Sequence, residues 1–172
     1  NQKFAKDLAV TFQSTNFRPY LSSDIIGVQV SAALKNVLAI ACGVVSGSNL
    51  GENAVASLIT RGLKEIRRLG LALGGSESTF FGLSGVGDIV LTCTSRQSRN
   101  FSLGAELGAG KSFNNNYTRL AEGVATTRAA KELAVKLDVE MPIVNAMDQI
   151  LNEKATIASV INSLLQRPIK KE

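Results

Sequence analysis

The side chains in this sequence that can transfer a proton are limited, because it contains no histidine. That absence excludes Ser–His–Asp and Cys–His catalysis, imidazole acid–base chemistry and zinc held by histidine, and we expect no metal site. Any proton transfer must therefore use a lysine, a carboxylate, a tyrosine or a cysteine.

Lys35 is the first candidate. It is the only charged residue between Ile25 and Gly51, so we expect a helix there to bury it at least in part. Loss of water around a lysine favours its neutral amine, the form that accepts a proton. A lysine that reaches solvent or pairs with one carboxylate explains the pattern equally well.

Asp88 and Thr92 are the second candidates. Their spacing of four places them on one helical face, where they could bind a hydroxylated substrate or Lys35. From spacing alone, an N-cap role for Asp88 behind a glycine hinge is favoured. The preceding glycines, between Gly82 and Gly87, do not form the G-x-G-x-x-G pattern and follow no predicted strand, so they are not a dinucleotide-binding fingerprint.

The polar segment before Phe101 is the third candidate. Ser98 and Arg99 stand at the start of a predicted helix, where backbone N–H groups and a cation favour a phosphate. A solvated N-cap flanked by charges fits the same residues. Glu122 opens another helix, where an acidic residue complements the helix dipole.

Helices are predicted to position all these residues. The periodicity of apolar residues predicts helices over 25–45, 53–73, 88–94, 98–107 and 122–137, a further helix opened by Pro142 and a last one capped by Thr156. The segment 108–116 is predicted to be a polar loop. The fold class is therefore mainly α from residue 25 to residue 172.

Residues 1–24 have a different pattern. Apolar residues from Ala5 to Phe12 share one helical face, and 17–21 reads as an edge strand interrupted by Pro19. We interpret 1–24 as the end of a preceding sheet domain. The chain starts at Asn1 without a secretory leader, and we expect it to be part of a longer protein.

The composition of the chain indicates which kinds of partner it binds. The net charge of +5 suits an anionic small ligand, whereas scattered cations and 5% aromatic residues disfavour nucleic acid. Cys42 and Cys93 form no CxxC motif, which favours a reduced, cytoplasmic protein. The apolar stretch 25–51 is long enough to span a membrane, but its lysine and polar residues favour a core helix or a subunit interface.

Several segments together resemble the NAD(P)-dependent glycerol-3-phosphate dehydrogenases. The resemblance runs through Ile26–Ile40, Gly85–Thr94, Gln97–Asn100 and Glu122–Gly123, in the same order and spacing, over nearly the whole chain. It implies the helical C-terminal domain of a dehydrogenase of the 6-phosphogluconate-dehydrogenase type, following a Rossmann domain. It also implies interconversion of sn-glycerol 3-phosphate and dihydroxyacetone phosphate with NAD or NADP, in phospholipid synthesis, by a homodimer.

The resemblance also implies residue roles. Lys35 would accept the proton of the C2 hydroxyl and return it in the reverse reaction. The residues implied to bind substrate are Lys35, Asn36, Asp88, Thr92, Ser98, Arg99 and Asn100. The residues implied to contact the cofactor are Arg99, Leu120 and Glu122. Under this interpretation Asp88 orients Lys35 and is not merely a cap.

Two features depart from the family pattern. The dinucleotide fingerprint and first substrate lysine of the N-terminal domain are absent, and 74–77 lacks the usual acidic-proline pattern. We therefore expect this chain alone to be inactive. The alternatives are another lysine-dependent hydroxyacid dehydrogenase of the same superfamily, or a helical dimerisation module formed through 25–45.

Overall fold

The protein folds as a group of helices. The computed structural model describes residues 2–111, 122–153 and 155–168, and within these ranges every regular element is helical. The helices are α1 (Gln2–Phe12), α2 (Ile25–Gly47), α3 (Glu52–Ala72), α4 (Glu77–Phe80), α5 (Asp88–Thr94), α6 (Arg99–Gly108), α7 (Glu122–Lys136), α8 (Pro142–Leu151) and α9 (Ile157–Leu165). A π-helical turn, Leu83–Gly87, joins α4 to α5. The predicted helical class from residue 25 onward is confirmed.

Helix α2 is the centre of the fold, because α3, α5, α6, α7 and α8 all pack against it. Every residue from Asn36 to Val44 is buried. By length and composition α2 is apolar enough to cross a membrane, but 56% of its most apolar window is buried inside the protein. We therefore interpret α2 as a core helix, which is what its polar residues predict.

Helix α6 crosses α2 at backbone contact. A methyl group placed on Gly104 of α6 would lie 2.0 Å from the carbonyl oxygen of Ile40, so only glycine permits this approach. The close crossing brings the start of α6, at Arg99, to the part of α2 that carries Asn36. The packing of these two helices thus determines where the third candidate segment lies.

The N-terminal segment differs from its prediction in one respect. Helix α1 forms as expected, but 17–21 is not a strand: only an isolated bridge joins Ser14 to Phe17. Pro19 has no N–H to donate, and the described residues contain no strand beside this segment to pair with it. No residue of α1 is buried. The assignment of 1–24 to a preceding domain stays a prediction.

Candidate active site

Lys35 and Asp88 form an ion pair at the surface of the helical core. Lys35 Nζ donates a hydrogen bond to Asp88 Oδ2 over 2.6 Å, and the two side chains are 23% and 32% exposed. Asp88 is the first residue of α5, while Gly87 occupies the N-cap. The N-cap interpretation of Asp88 is therefore wrong: its carboxylate faces Lys35.

Thr92 extends this pair along α5. Its hydroxyl donates to the Asp88 carbonyl oxygen over 2.7 Å and lies 3.4 Å from Asp88 Oδ1. The spacing of four residues places the two side chains together, as predicted. We refer to Lys35, Asp88 and Thr92 as the lysine cluster. It combines a proton-carrying ammonium with a carboxylate that keeps it in place.

A second group of polar residues forms around Asn36, the neighbour of Lys35 on α2. The Asn100 amide donates from Nδ2 to Asn36 Oδ1 over 3.1 Å, and Asn100 Oδ1 accepts from the backbone N–H of Gly123 over 3.0 Å. Asn36 Nδ2 donates to Glu122 Oε2 over 3.3 Å. These contacts join α2, α6 and the start of α7, and we refer to Asn36, Arg99, Asn100 and Glu122 as the amide cluster.

Arg99 gives the amide cluster its positive charge. Its guanidinium lies 3.5 Å from Glu122 Oε1, with the two side chains 65% and 70% exposed, so an exposed pair of this kind holds Arg99 only weakly. Ser98 is the N-cap of α6, and its hydroxyl oxygen accepts from the Phe101 N–H over 3.3 Å. The first turn of α6 thus offers backbone N–H groups and an accessible guanidinium, a combination suited to an anion.

The structure brings most of the predicted site residues into these two clusters. Lys35, Asp88 and Thr92 are in contact, and Arg99 connects through Glu122 to Asn36. Asn100 is buried and its amide is bonded on both sides, so its predicted contact with phosphate stays a prediction. Leu120 lies outside the described residues, as does most of the predicted loop 108–116.

The two cysteines behave as small buried apolar residues. Cys42 and Cys93 are free thiols with no exposed surface. Contact with the Cys42 thiol and burial raise the pKa of Cys93, so its thiol stays protonated and is not a nucleophile.

A separate cavity of about 570 Å³ lies between α7 and α8. Its lining includes Lys131, whose ammonium contacts Asp148 at 2.6 Å and Glu153 at 2.9 Å. None of the predicted site residues lines it. Because Lys131 and both carboxylates are paired with each other, we do not assign this cavity to the chemistry of the lysine cluster.

Several tertiary contacts were not predicted from the sequence, and two of them involve acidic residues at helix starts. The Asn36–Glu122 hydrogen bond joins residues 86 positions apart, and the Asp24 carboxylate contacts Thr79, 55 positions away. The sequence signals were local: Glu122 opens a helix, and Asp24 follows two serines in a run that is typical of a helix cap. Such signals identify a helix start but not its distant partner.

The sequence of this chain matches a known protein family. The family profile described as NAD-dependent glycerol-3-phosphate dehydrogenase C-terminus matches residues 24–162. The chain is 49% identical over 171 residues to the glycerol-3-phosphate dehydrogenase [NAD(P)+] of Rhodospirillum rubrum, covering 98% of this chain and 49% of that protein. It is 52% identical over 159 residues to the enzyme of the same name from Zymomonas mobilis, covering 91% and 46%.

Solved structures agree with the sequence comparison. A glycerol-3-phosphate dehydrogenase structure from Coxiella burnetii superposes with a TM-score of 0.91 at 41% identity, covering 97% of this chain and 52% of that one. A glycerol-3-phosphate dehydrogenase structure from Saccharomyces cerevisiae gives 0.82 at 26% identity, covering 95% and 48%. The chain thus spans about half the length of the relatives it matches.

Proposed function

Because this chain belongs to the family of NAD-dependent glycerol-3-phosphate dehydrogenase C-terminal domains, we propose that it is the substrate-binding half of such an enzyme. The reaction proposed is the interconversion of sn-glycerol 3-phosphate and dihydroxyacetone phosphate. The contact of Lys35 with Asp88 at 2.6 Å supports this proposal most directly, because it holds one proton-transfer group in a defined place beside an anion-binding helix start.

Lys35 is the proposed acid–base group. An ammonium has three N–H donors, and the bond to Asp88 uses one of them, which leaves two for a substrate oxygen. In reduction of the ketone, Lys35 gives a proton to the oxygen on C2; in oxidation, its neutral amine takes that proton from the hydroxyl. Asp88 restricts the ammonium to one position, so that proton transfer needs no search among rotamers.

The start of α6 is the proposed phosphate site. Arg99 and the N–H groups of the first turn present positive charge on the side of Asn36. Binding a remote phosphate there holds the reacting carbon near Lys35, so that binding energy contributes to orientation. A phosphate competes with Glu122 for the guanidinium, which an exposed pair at 3.5 Å permits.

The residues present fit a nicotinamide cofactor at the edge of the site. Arg99 and Glu122 are both largely exposed, so the amide cluster offers a charged donor and an acceptor without disturbing the core. NAD or NADP, when bound, supplies the hydride chemistry. The contribution proposed for this chain is to bind the phosphate, orient C2 and move the proton at Lys35 Nζ.

The same observations favour this proposal over the two alternatives. A hydroxyacid dehydrogenase is disfavoured by the family match, which covers residues 24–162. If the chain served only for dimerisation, nothing would explain why Lys35 of the central helix pairs with Asp88, the first residue of α5. The homodimer, the cytoplasmic location and the role in phospholipid synthesis stay predictions.

The test uses the full-length protein and two lysine variants. Lys35→Ala should lower kcat by several orders of magnitude, because the proton-transfer group is removed. The matched control is Lys131→Ala, which removes a half-buried lysine that also contacts a carboxylate at 2.6 Å but lies between α7 and α8; it should keep wild-type kcat. Near wild-type kcat in Lys35→Ala would show the proposal to be wrong.

A further inference from the structure

Asp24 connects two helix starts that are far apart in the sequence. Its Oδ1 accepts from the Gly27 N–H over 2.8 Å and so caps α2. Its Oδ2 accepts from the Ser76 N–H over 2.8 Å and from the Thr79 hydroxyl over 2.5 Å. The hydrogen bond from Thr79 has the largest effect in lowering the pKa of Asp24, and those from Gly27 and Ser76 lower it further. One ionised carboxylate therefore ties the start of α4 to the start of α2.

The segment from Ser76 to Gly87 leads from this contact to Asp88. Its middle is anchored by Phe80, whose ring has no exposed surface. Gly85 follows with φ −102° and ψ −107°, a non-helical conformation inside the turn. A methyl group on Gly85 would lie 2.2 Å from the Phe80 carbonyl oxygen. The turn between Phe80 and Asp88 is therefore packed tightly. We expect a shift of α4 to displace Asp88 as well.

We propose that Asp24 is a positioning residue that sets Asp88 against Lys35. The helix α2 carries Asp24 at its cap and Lys35 farther along, while the segment 76–87 begins at the Asp24 carboxylate and ends at Asp88. The Lys35–Asp88 ion pair, at 2.6 Å, joins the end of this segment back to α2. Asp24 thus acts on the proposed reaction only through Asp88. The expected changes in kcat and KM rest on the proposed function.

A direct electrostatic effect of Asp24 on Lys35 is a weaker explanation. Eleven helical positions separate the two residues, which corresponds to about 16 Å along the axis. That is about twice the Debye length at physiological ionic strength. The competing structural view is that α5 holds Asp88 in place by its own packing, since Ile89 and Cys93 are fully buried. The two views predict different results for variants at Asp24.

The test compares three variants in the full-length protein. Asp24→Asn keeps an oxygen that can cap α2 but loses the second acceptor for Ser76 and Thr79. Thr79→Val removes one hydrogen bond and changes no charge, and Thr79→Ser is its control because it keeps the hydroxyl. The ammonium signal of Lys35 is followed by ¹⁵N NMR, assigned with Lys35→Arg, and its position in Asp88→Asn serves as the reference for a broken ion pair.

We expect Asp24→Asn and Thr79→Val to move the Lys35 signal toward its position in Asp88→Asn, and Thr79→Ser to leave it unchanged. We also expect kcat to fall about 10- to 100-fold in Asp24→Asn, as for a misplacement of about 1 Å, and less in Thr79→Val. KM for glycerol 3-phosphate should change less than about threefold, because the proposed phosphate site at the start of α6 is held by the contacts of Asn100 with Asn36 and Gly123.

Specific results would overturn the inference. A Lys35 signal at its wild-type position in folded Asp24→Asn would show that α5 alone places Asp88. If Asp24→Asn does not fold, Thr79→Val decides the question in the same way. The NMR measurement does not depend on turnover, so it remains decisive even if Lys35→Ala shows the proposed reaction to be wrong.

Discussion

Lys35 and Asn36 are adjacent on α2, yet their side chains enter different hydrogen-bonded clusters. Lys35 Nζ donates to Asp88 Oδ2 over 2.6 Å, and Asn36 Nδ2 donates to Glu122 Oε2 over 3.3 Å. Consecutive residues of an α-helix point about 100° apart. One turn of a buried helix therefore fixes the proposed acid–base group relative to the proposed phosphate site, and variants can separate the two functions.

Asp88→Asn should lower kcat far more than it changes substrate binding. The amide can still accept from Lys35 but does not hold the ammonium by charge, so the lysine loses its defined position. We expect a fall in kcat of about 10- to 100-fold, with a KM for glycerol 3-phosphate close to wild type. Steady-state kinetics of the full-length protein measures both quantities.

The control for Asp88→Asn is Asp148→Asn. It removes the carboxylate charge from the Lys131 contact of equal length between α7 and α8, so it tests whether loss of any lysine–aspartate ion pair has the same effect. Its kcat, corrected for the folded fraction, should stay at the wild-type value. An equal fall in kcat in both variants would argue against a specific role for Asp88.

Arg99→Ala should mainly raise the KM for the phosphorylated substrate. A hydrogen bond to a charged group contributes about 1.5–3 kcal/mol, so we expect KM to rise about 10- to 100-fold. Inhibition by inorganic phosphate should weaken in parallel. Arg128→Ala is the matched control, because Arg128 is also an exposed arginine beside a glutamate, Glu132 at 3.3 Å; an equal rise there would contradict the assignment.

The helices and the lysine cluster could be predicted from the sequence for local reasons. Apolar periodicity and caps placed the starts of α2, α3, α5, α6 and α9 within one or two residues. A spacing of four was sufficient to place Asp88 and Thr92 on one face. Lys35 stood out because no other charge accompanies it in a long apolar segment.

The contacts between helices could not be predicted in this way. Asp24 ends a Ser-Ser-Asp run directly before α2, which is typical of a helix cap, but its bonds to Ser76 and Thr79 depend on how α4 packs. The strand predicted at 17–21 was wrong because β propensity has meaning only beside a pairing partner. Nothing in the sequence indicated that Glu65 is buried, although it is among the most buried charged residues that the structure describes.

Gly104→Ala should displace α6 from α2. The added methyl group would meet the backbone of Ile40, which cannot move aside as a side chain can. We expect a loss of about 1–3 kcal/mol of stability and a raised KM, since α6 carries Arg99. Thermal unfolding and kinetics measure the two effects. Gly82→Ala is the control, because its methyl group would lie 3.5 Å from the Thr79 carbonyl oxygen, an ordinary contact; equal destabilisation there would contradict the steric argument.

Glu65 of α3 caps α8 from outside that helix. Its carboxyl oxygens accept from the Ile143 N–H over 2.7 Å and from the Val144 N–H over 3.3 Å. Burial raises the pKa of Glu65 to about 7, against the lowering effect of the two N–H groups and of Arg68 and Arg167.

The raised pKa of Glu65 predicts a pH dependence of stability. The folded state keeps the proton up to about pH 7, whereas an unfolded glutamate loses it near pH 4.5. Unfolding therefore releases a proton in this window, and the free energy of unfolding falls as pH rises through it, by about 3 kcal/mol at most. Below about pH 4.5 both states are protonated and the contribution is fully present.

Chemical denaturation of wild type and Glu65→Gln between pH 4 and pH 8 measures this effect. The glutamine keeps an acceptor for the Ile143 N–H and does not titrate, so the stability of wild type relative to the variant should fall between about pH 4.5 and pH 7. Glu52→Gln, at the exposed start of the same helix, should show no such trend. A relative stability that rises with pH instead would mean that the N–H groups of α8 and the two arginines keep Glu65 ionised in the folded protein.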